Sequence, residues 1–426
     1  MIDVLKGAWA LFFGLFLLML ANGLQGTLLG VRGAIEGFST LQMSFVMSAY
    51  FVGFLGGSQL APAMIRRVGH VRVFAALASL ISAALLLYAV APDPWVWTLM
   101  RVVIGFCYSA VYVTTESWLN NAATNENRGK TLSFYMIVQM AGIVVAQSLM
   151  TVGDPAGFLL FVIPSVLVSV SFAPILLSVT PAPFFERTKP MTLGALYRVS
   201  PLGAVGAFLL GGMFAAQFGM SAVYGTEAGL TVPQISLFVS AIFAGSLVMQ
   251  YPIGWLSDQM DRRVLIAALA AIGGVATLIP VLLPVPFPVL LGVAFALGGA
   301  SNPLYSLVLA YTNDYLEVED MAAASGGLIF LNGLGASAGP LAIGWLMGRA
   351  GPNGFFGFVA ILLFIFAAYA LYRMTQRPTP DVEETGAYAP VFATASPVAF
   401  ELTQEATIEA AEQAADRTEE GRDDAA

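Results

Sequence analysis

The sequence predicts an all-α polytopic membrane protein, with twelve transmembrane helices in two pseudo-symmetric halves of six. Three observations carry this. Across residues 1–374 nearly every charge falls in a short gap between apolar runs, and a helical run of roughly twenty residues matches the hydrocarbon thickness of a bilayer. Of 426 residues, 58% are hydrophobic and 10% charged, which leaves too little polar surface for a water-soluble domain. Short stretches also recur at an offset of 192 residues.

The expected spans are 8–30, 41–63, 73–91, 96–120, 131–152, 158–179, 201–223, 233–256, 264–284, 287–312, 322–347 and 353–373. The first, with its apolar run from Leu5 to Gly30, is longer than a signal-peptide core and belongs to the repeat, so it is read as a retained helix. The ninth and tenth are separated only by the Pro280 to Pro288 region. The longest connection, about 180–200, carries Pro181, Pro183, Lys189 and Pro190 and falls after the sixth span. The layout is therefore a half at 1–180, a linker at 181–200, a second half at 201–374 and a tail at 375–426.

Charge sets the orientation. With both termini inside, the inner segments hold thirteen Lys and Arg, among them Arg66, Arg67, Arg262 and Arg263, and the outer segments hold only Arg32 and Arg349. That asymmetry is the positive-inside signal and places both termini in the cytoplasm of an inner (plasma) membrane. The net charge of −8 belongs to the tail: residues 1–374 carry 15 basic against 14 acidic side chains, residues 375–426 carry 3 against 12. The tail is poor in large apolar residues and is expected to be disordered or weakly ordered, although 401–416 could form a short helix, and to take no part in holding the bundle together.

The repeat pairs Gly37 to Gln42 with Gly229 to Gln234, and Ser48-Ala49-Tyr50-Phe51-Val52-Gly53 with Ser240-Ala241-Ile242-Phe243-Ala244-Gly245. A near offset of 193 pairs Tyr112 with Tyr305 and Asn120 with Asn313. Two equivalent halves imply a binding cavity between them, opened alternately to each side.

Several chemistries are excluded. One cysteine (Cys107) and one histidine (His70) exclude a disulfide framework and a His/Cys zinc site, and His70, alone beside a basic cytoplasmic loop, makes no plausible Ser-His-acid triad. No Gly-rich phosphate loop ending in Lys-Ser/Thr is present, so ATP does not drive the chain directly. The basic residues flank spans and make no nucleic-acid surface. No cofactor or metal is expected, and the chain does not read as an enzyme.

The loop after the eighth span reads Gly254-Trp255-Leu256-Ser257-Asp258-Gln259-Met260-Asp261-Arg262-Arg263. This resembles the interhelical signature of the major facilitator superfamily: a Gly, three residues, an Asp, then a basic pair. The first-half copy departs from it, with Pro62 for the Gly and Arg66 for the Asp, while Arg67 and Gly69 persist. The resemblance implies the major facilitator fold and a cytoplasmic gate at Arg67, Gly69, Gly254, Asp258, Arg262 and Arg263. The reversed charge at Arg66 calls for a carboxylate elsewhere, and Asp314 and Glu317 in the acidic 313–320 loop are the candidates. Arg101 resembles the family's fourth-span arginine, which is associated with proton coupling. The fifth-span antiporter signature is missing from Gly142 to Gln147. The stretch from Tyr112 to Asn120 is similar to the YcaD-like branch, and the resemblance covers about residues 5–375. It implies a monomer.

Within the spans, Glu116 is the leading internal carboxylate, read either as a proton carrier or as a structural or gating pair. Arg101, Tyr108, Tyr112 and Glu116 share one broad helix face, but Arg101 and Glu116 lie about 22 Å apart along the axis and cannot pair. Arg101 is left to hold Glu36 or to attract an anionic group on the substrate. Asn22, Gln25, Gln139, Gln217, Asn302, Tyr305 and Asn332, with Tyr108, Tyr112 and Phe214, describe a mixed polar and aromatic cavity. Each polar group alone is more often a helix-packing bond than a ligand contact. Arg32, Glu36 and Glu227 form the outer rim, with Arg32 and Glu36 spaced for a same-helix pair. The expected function is proton-coupled secondary transport of a small organic, amphipathic solute by alternating access. A facilitated uniporter and a non-transporting sensor or scaffold of the same fold are the alternatives. The expected partners are the solute, protons and membrane lipids, without nucleic acid.

Overall fold

The computed structural model describes residues 2–122, 128–174 and 191–376, with Gly386, Tyr388 and Val391. Most of the linker, including Arg187 and Lys189, and the stretch 401–416 lie outside the described residues. The chain is all-α. Its helices are α1 Ile2–Ile35, α2 Thr40–Val68, α3 His70–Val90, α4 Pro94–Ala122, α5 Arg128–Leu149, α6 Leu159–Ser171 and the short α7 Leu193–Val199. They continue with α8 Pro201–Glu227, α9 Val232–Ser257, α10 Arg262–Leu282, α11 Phe287–Asn313, α12 Val318–Ala350 and α13 Gly354–Met374. Among the described residues, ten helices are long and apolar enough to cross a membrane. The spans expected at 131–152 and 158–179 appear as the shorter apolar stretches Ser133–Leu149 and Leu159–Ser171.

The repeat is a repeat of turn chemistry. Gly37 (φ 76°) and Gly229 (φ 72°) take the left-handed conformation just past α1 and α8, where a side chain would be strained. Two residues later Ser39 and Thr231 cap α2 and α9, each in a reciprocal box with the Gln three positions on. Gln42 Oε1 accepts from the Ser39 backbone N–H at 2.8 Å, and Gln234 Oε1 from that of Thr231 at 2.9 Å. Each box satisfies backbone donors that would otherwise be orphaned at a helix start.

Packing repeats as well. Helix α2 packs along α4 and α9 along α11, and both pairs cross at glycines. A Cβ on Gly105 would overlap the Tyr50 carbonyl oxygen, and one on Gly298 would overlap that of Ile242. Lipid offers helices no hydrophobic gain from associating, so backbones must approach this closely for dispersion to hold them. Contacts of α2 with α12, α1 with α8 and α5 with α9 join the first six helices to the later ones. Large apolar side chains such as Leu99, Ile272, Leu282 and Leu371 point outward, as a lipid-facing belt requires.

Helix α8 departs from regularity. Ala216–Met220 form a π turn in its middle, a geometry that inserts an extra residue per turn and re-aims the side chains around it.

Candidate functional site

The α8 π turn faces the middle of α2 and α12. Phe214 and Phe218 stack there at 5.5 Å between ring centroids. With Tyr50, Phe51 and Phe54 of α2 and Asn332 of α12 they enclose a cavity of about 20 Å³, room for about one water molecule. The walls come from three helices far apart in sequence, and the aromatic rings pack on one another.

Tyr50 connects this cavity to a buried polar line. Its ring stacks toward Phe218 across the cavity, 6.4 Å between centroids, and lies 5.1 Å below the Arg101 guanidinium. Its hydroxyl accepts from Asn22 Nδ2 at 3.4 Å, and the same amide nitrogen donates to the Tyr112 hydroxyl at 3.2 Å. One turn beyond Tyr112 on α4, Glu116 is buried and accepts from the Tyr135 hydroxyl at 2.5 Å. Gln139 lies beside Tyr135 on α5. Glu116, Tyr112, Asn22 and Tyr50 thus lead from a buried carboxylate to the cavity wall.

The remaining expected cavity residues separate into two groups. Phe214 and Asn332 line the cavity. Tyr108, Gln217, Asn302 and Tyr305 are buried, but they are absent from its lining. The Tyr108 hydroxyl donates to the Leu18 carbonyl of α1 at 3.3 Å, and Gln217 Nε2 to Ser301 Oγ of α11 at 2.6 Å. Asn332 spends its amide on the Ala207 carbonyl at 3.2 Å while keeping a face on the cavity. Gln25 is buried on α1, and neither of its polar atoms meets a partner in hydrogen-bonding geometry.

Of the two roles left open for Arg101, the pairing with Glu36 does not occur. Glu36 is held by Arg32 at 2.6 Å, as their spacing suggested, and Arg32 also donates to the Pro155 and Ala156 carbonyls. Glu227 accepts from Thr40 Oγ1 at 2.8 Å, tying the start of α2 to the end of α8. Arg101 instead has Met47 Sδ at 2.9 Å and the Tyr50 ring.

At the other end of the bundle, Asp258 caps the end of α9, and its Oδ1 lies 3.8 Å from Arg262 Nη2. Arg262 Nη1 meets both oxygens of Asp314 at 2.5 and 2.6 Å, with both side chains buried, and Arg262 also donates to Ser257 Oγ and the Gly386 carbonyl. Asp314 therefore serves Arg262, not Arg66 as expected. Burial pushes its carboxyl above the usual range, opposed by the guanidinium. Arg263 pairs with Asp261 at 2.9 Å. Arg67 is exposed, and Gly69 (φ 86°) makes the turn between α2 and α3. Gly254 leaves room for the Tyr388 ring, and the Tyr388 backbone N–H donates to Asp258 Oδ1 at 2.8 Å. Asp314→Ala would strand the Arg262 guanidinium in a buried setting, and a loss of about 3–5 kcal/mol is expected. Thermal unfolding in detergent measures it, and an unchanged midpoint would show that the pair is solvated.

Sequence reasoning missed Tyr50, Phe218 and Tyr135. Tyr50 had a signal, because the repeat places Ile242 opposite it and the two halves differ in polarity there. Phe218 depends on the π turn, and Tyr135 on the packing of α5 against its neighbours.

A family model described as Major Facilitator Superfamily matches residues 11–227 and 202–404. The chain is 25% identical over 371 residues to the "Uncharacterized MFS-type transporter YcaD" of Salmonella arizonae, covering 86% of this chain and 96% of that one. In fold it is similar to a mutant of the nucleoside transporter NupG, with a TM-score of 0.71 at 15% identity over 86% of this chain and 99% of that one. It is also similar to a bacterial homolog of the human lysosomal transporter Spinster, with a TM-score of 0.66 at 13% identity over 95% and 98%.

Proposed function

This chain belongs to the Major Facilitator Superfamily, and we propose on that premise that it is a proton-coupled secondary transporter of a small organic, amphipathic solute. The observation that carries the reading is the buried Glu116 one helical turn from Tyr112, whose hydroxyl is joined through Asn22 to Tyr50 on the cavity wall. A carboxylate at that depth must pair, hydrate or take a proton, and a proton taken there changes the field at the cavity. Solute binding and proton binding are then linked through one set of side chains, as coupling requires.

The twelve-crossing architecture is part of the proposal. The ten long apolar helices together with α5 and α6 make two halves, 1–180 and 201–374, with the linker 181–200 between them and the acidic tail 375–426 after. The matched capping boxes and glycine crossings support it. The end bearing Arg66, Arg67, Arg262 and Arg263 faces the cytoplasm, which puts both termini there. Arg262 with Asp258 and Asp314, and Arg67 with Gly69, form the gate on that side, and Arg32, Glu36 and Glu227 the rim on the other. The protein acts as a monomer in the inner membrane.

The test is reconstitution into liposomes that hold a pH-sensitive dye, screened with pooled metabolites under an imposed proton gradient. A solute-dependent pH change is expected. Tracer flux at constant pH would replace this reading with uniport, and ligand binding without flux would replace it with a sensor.

A further inference from the structure

Arg101 is a buried cation to which the structure gives no counter-charge. Of the buried arginines, Arg262 and Arg263 each hold a carboxylate, whereas Arg101 makes no ion pair among the described residues. Its nearest partners are weak ones, a thioether sulfur and an aromatic face. Its Nε has no acceptor. The Tyr88 hydroxyl lies close by and faces the Gln25 amide, both buried, in a contact that falls short of good hydrogen-bond geometry. A guanidinium with an unused Nε–H, beside a phenol and an amide that can each donate a hydrogen bond, suits an anion. A lone buried cation costs several kcal/mol to keep desolvated, and a carboxylate that entered beside it would relieve that cost.

We propose that the transported solute is an organic carboxylate, with its carboxyl group against Arg101 and its apolar or aromatic body among Phe51, Phe54, Phe214 and Phe218. This rests on the transport reading above and names the substrate class for it. Tyr50 is the shutter. One face of its ring covers Arg101 and the other lines the cavity, so rotation of that one side chain joins the two. In the collapsed cavity, Met47 and Tyr50 hold the guanidinium in place. A carboxylate outcompetes both, because charge-assisted bonds are stronger than contacts to sulfur or to a ring.

The test uses the full chain in detergent, with benzoate and 3-phenylpropionate as probes against benzamide and benzylamine, read by the shift in thermal midpoint and by tryptophan fluorescence. The carboxylates are expected to bind about 10- to 100-fold more tightly than the amide, the difference a charge-assisted contact makes, and benzylamine not at all. Arg101→Gln is expected to abolish the preference and Arg101→Lys to keep part of it. The wild-type ligand series stands by itself if either variant fails to fold. Equal affinity for benzamide, tighter binding of benzylamine, silence toward both carboxylates at millimolar concentration, or carboxylate binding unchanged in Arg101→Gln would each overturn the assignment. Proton-driven flux of a neutral or cationic solute in liposomes would overturn it and leave the transport reading standing. Carboxylate binding with no flux of any solute would do the reverse.

Discussion

Glu116→Gln is expected to lower net proton-driven uptake about 100-fold, in the upper part of the range that coupling energies span, while solute exchange without a proton gradient stays close to wild type. The substitution keeps the shape of the side chain and an oxygen for the Tyr135 hydroxyl, but it removes the group that takes a proton. Binding and reorientation of the solute need no proton to cross, so exchange separates the two roles. The competing interpretation is that Glu116 only ties α4 to α5 through Tyr135. On that view Tyr135→Phe, which cuts the tie from the other side, should behave like Glu116→Gln, and both should act through stability. The coupling reading expects Tyr135→Phe to keep uptake within a few-fold of wild type. Uptake by Glu116→Gln at the wild-type rate, or equal loss in both variants, would remove Glu116 from the proton path.

What the sequence made legible follows from what repeats. Turn chemistry is local: a glycine, a hydroxyl and a glutamine in fixed order specify a helix end, so Gly37 to Gln42 and Gly229 to Gln234 were readable as equivalent turns without knowing what surrounds them. Apolar run length is equally local and located the long helices. The Arg32–Glu36 pair needed only helical spacing. The candidate site depends on distant elements. Whether Asn22 faces Tyr112 or lipid is set by how α1 packs on α4, and nothing within either span encodes that choice. The same holds for Arg101, one of whose two candidate partners, Glu36, belongs to Arg32, and for Asp314, whose guanidinium is Arg262 and not Arg66. Charge patterning identified the ions and their end of the bundle but not who pairs with whom.

The site also sits where the repeat breaks. Tyr50 and Ile242 occupy matched positions, as do Arg101 and Ala294 at the 193 offset, yet only the first member of each pair is polar. Symmetry made the scaffold readable and hid the chemistry, because a search for what the two halves share passes over the residues they do not. The π turn adds a second obstacle. Ala216–Met220 carries no proline, and its Gly219 is one glycine among many in these spans, so nothing in the run singles it out as a π turn.

Gly105→Ala is expected to destabilise the bundle by about 3 kcal/mol or more, as overpacking at a site with no room to yield does. The added carbon would overlap the Tyr50 carbonyl oxygen and press on the Phe54 backbone nitrogen, and a backbone atom cannot rotate out of the way. Relief requires α2 to move off α4, which lifts Tyr50 away from Arg101 and spoils the cavity wall together with the crossing. The matched change Gly298→Ala meets the Ile242 carbonyl in the same way, and a comparable loss is expected there without any effect on Tyr50. Gly56→Ala is the control: its carbon would rest 3.7 Å from the Phe106 ring, an ordinary contact, so its stability should stay within about 0.5 kcal/mol. Thermal midpoints in detergent, read with size-exclusion profiles, separate these outcomes. Losses at Gly105 and Gly298 but not Gly56 would mean that both halves are held by the same backbone crossing. A wild-type midpoint for Gly105→Ala would mean that α2 and α4 stand further apart than the structure places them, and the contact of Tyr50 with Arg101 would fail with that spacing.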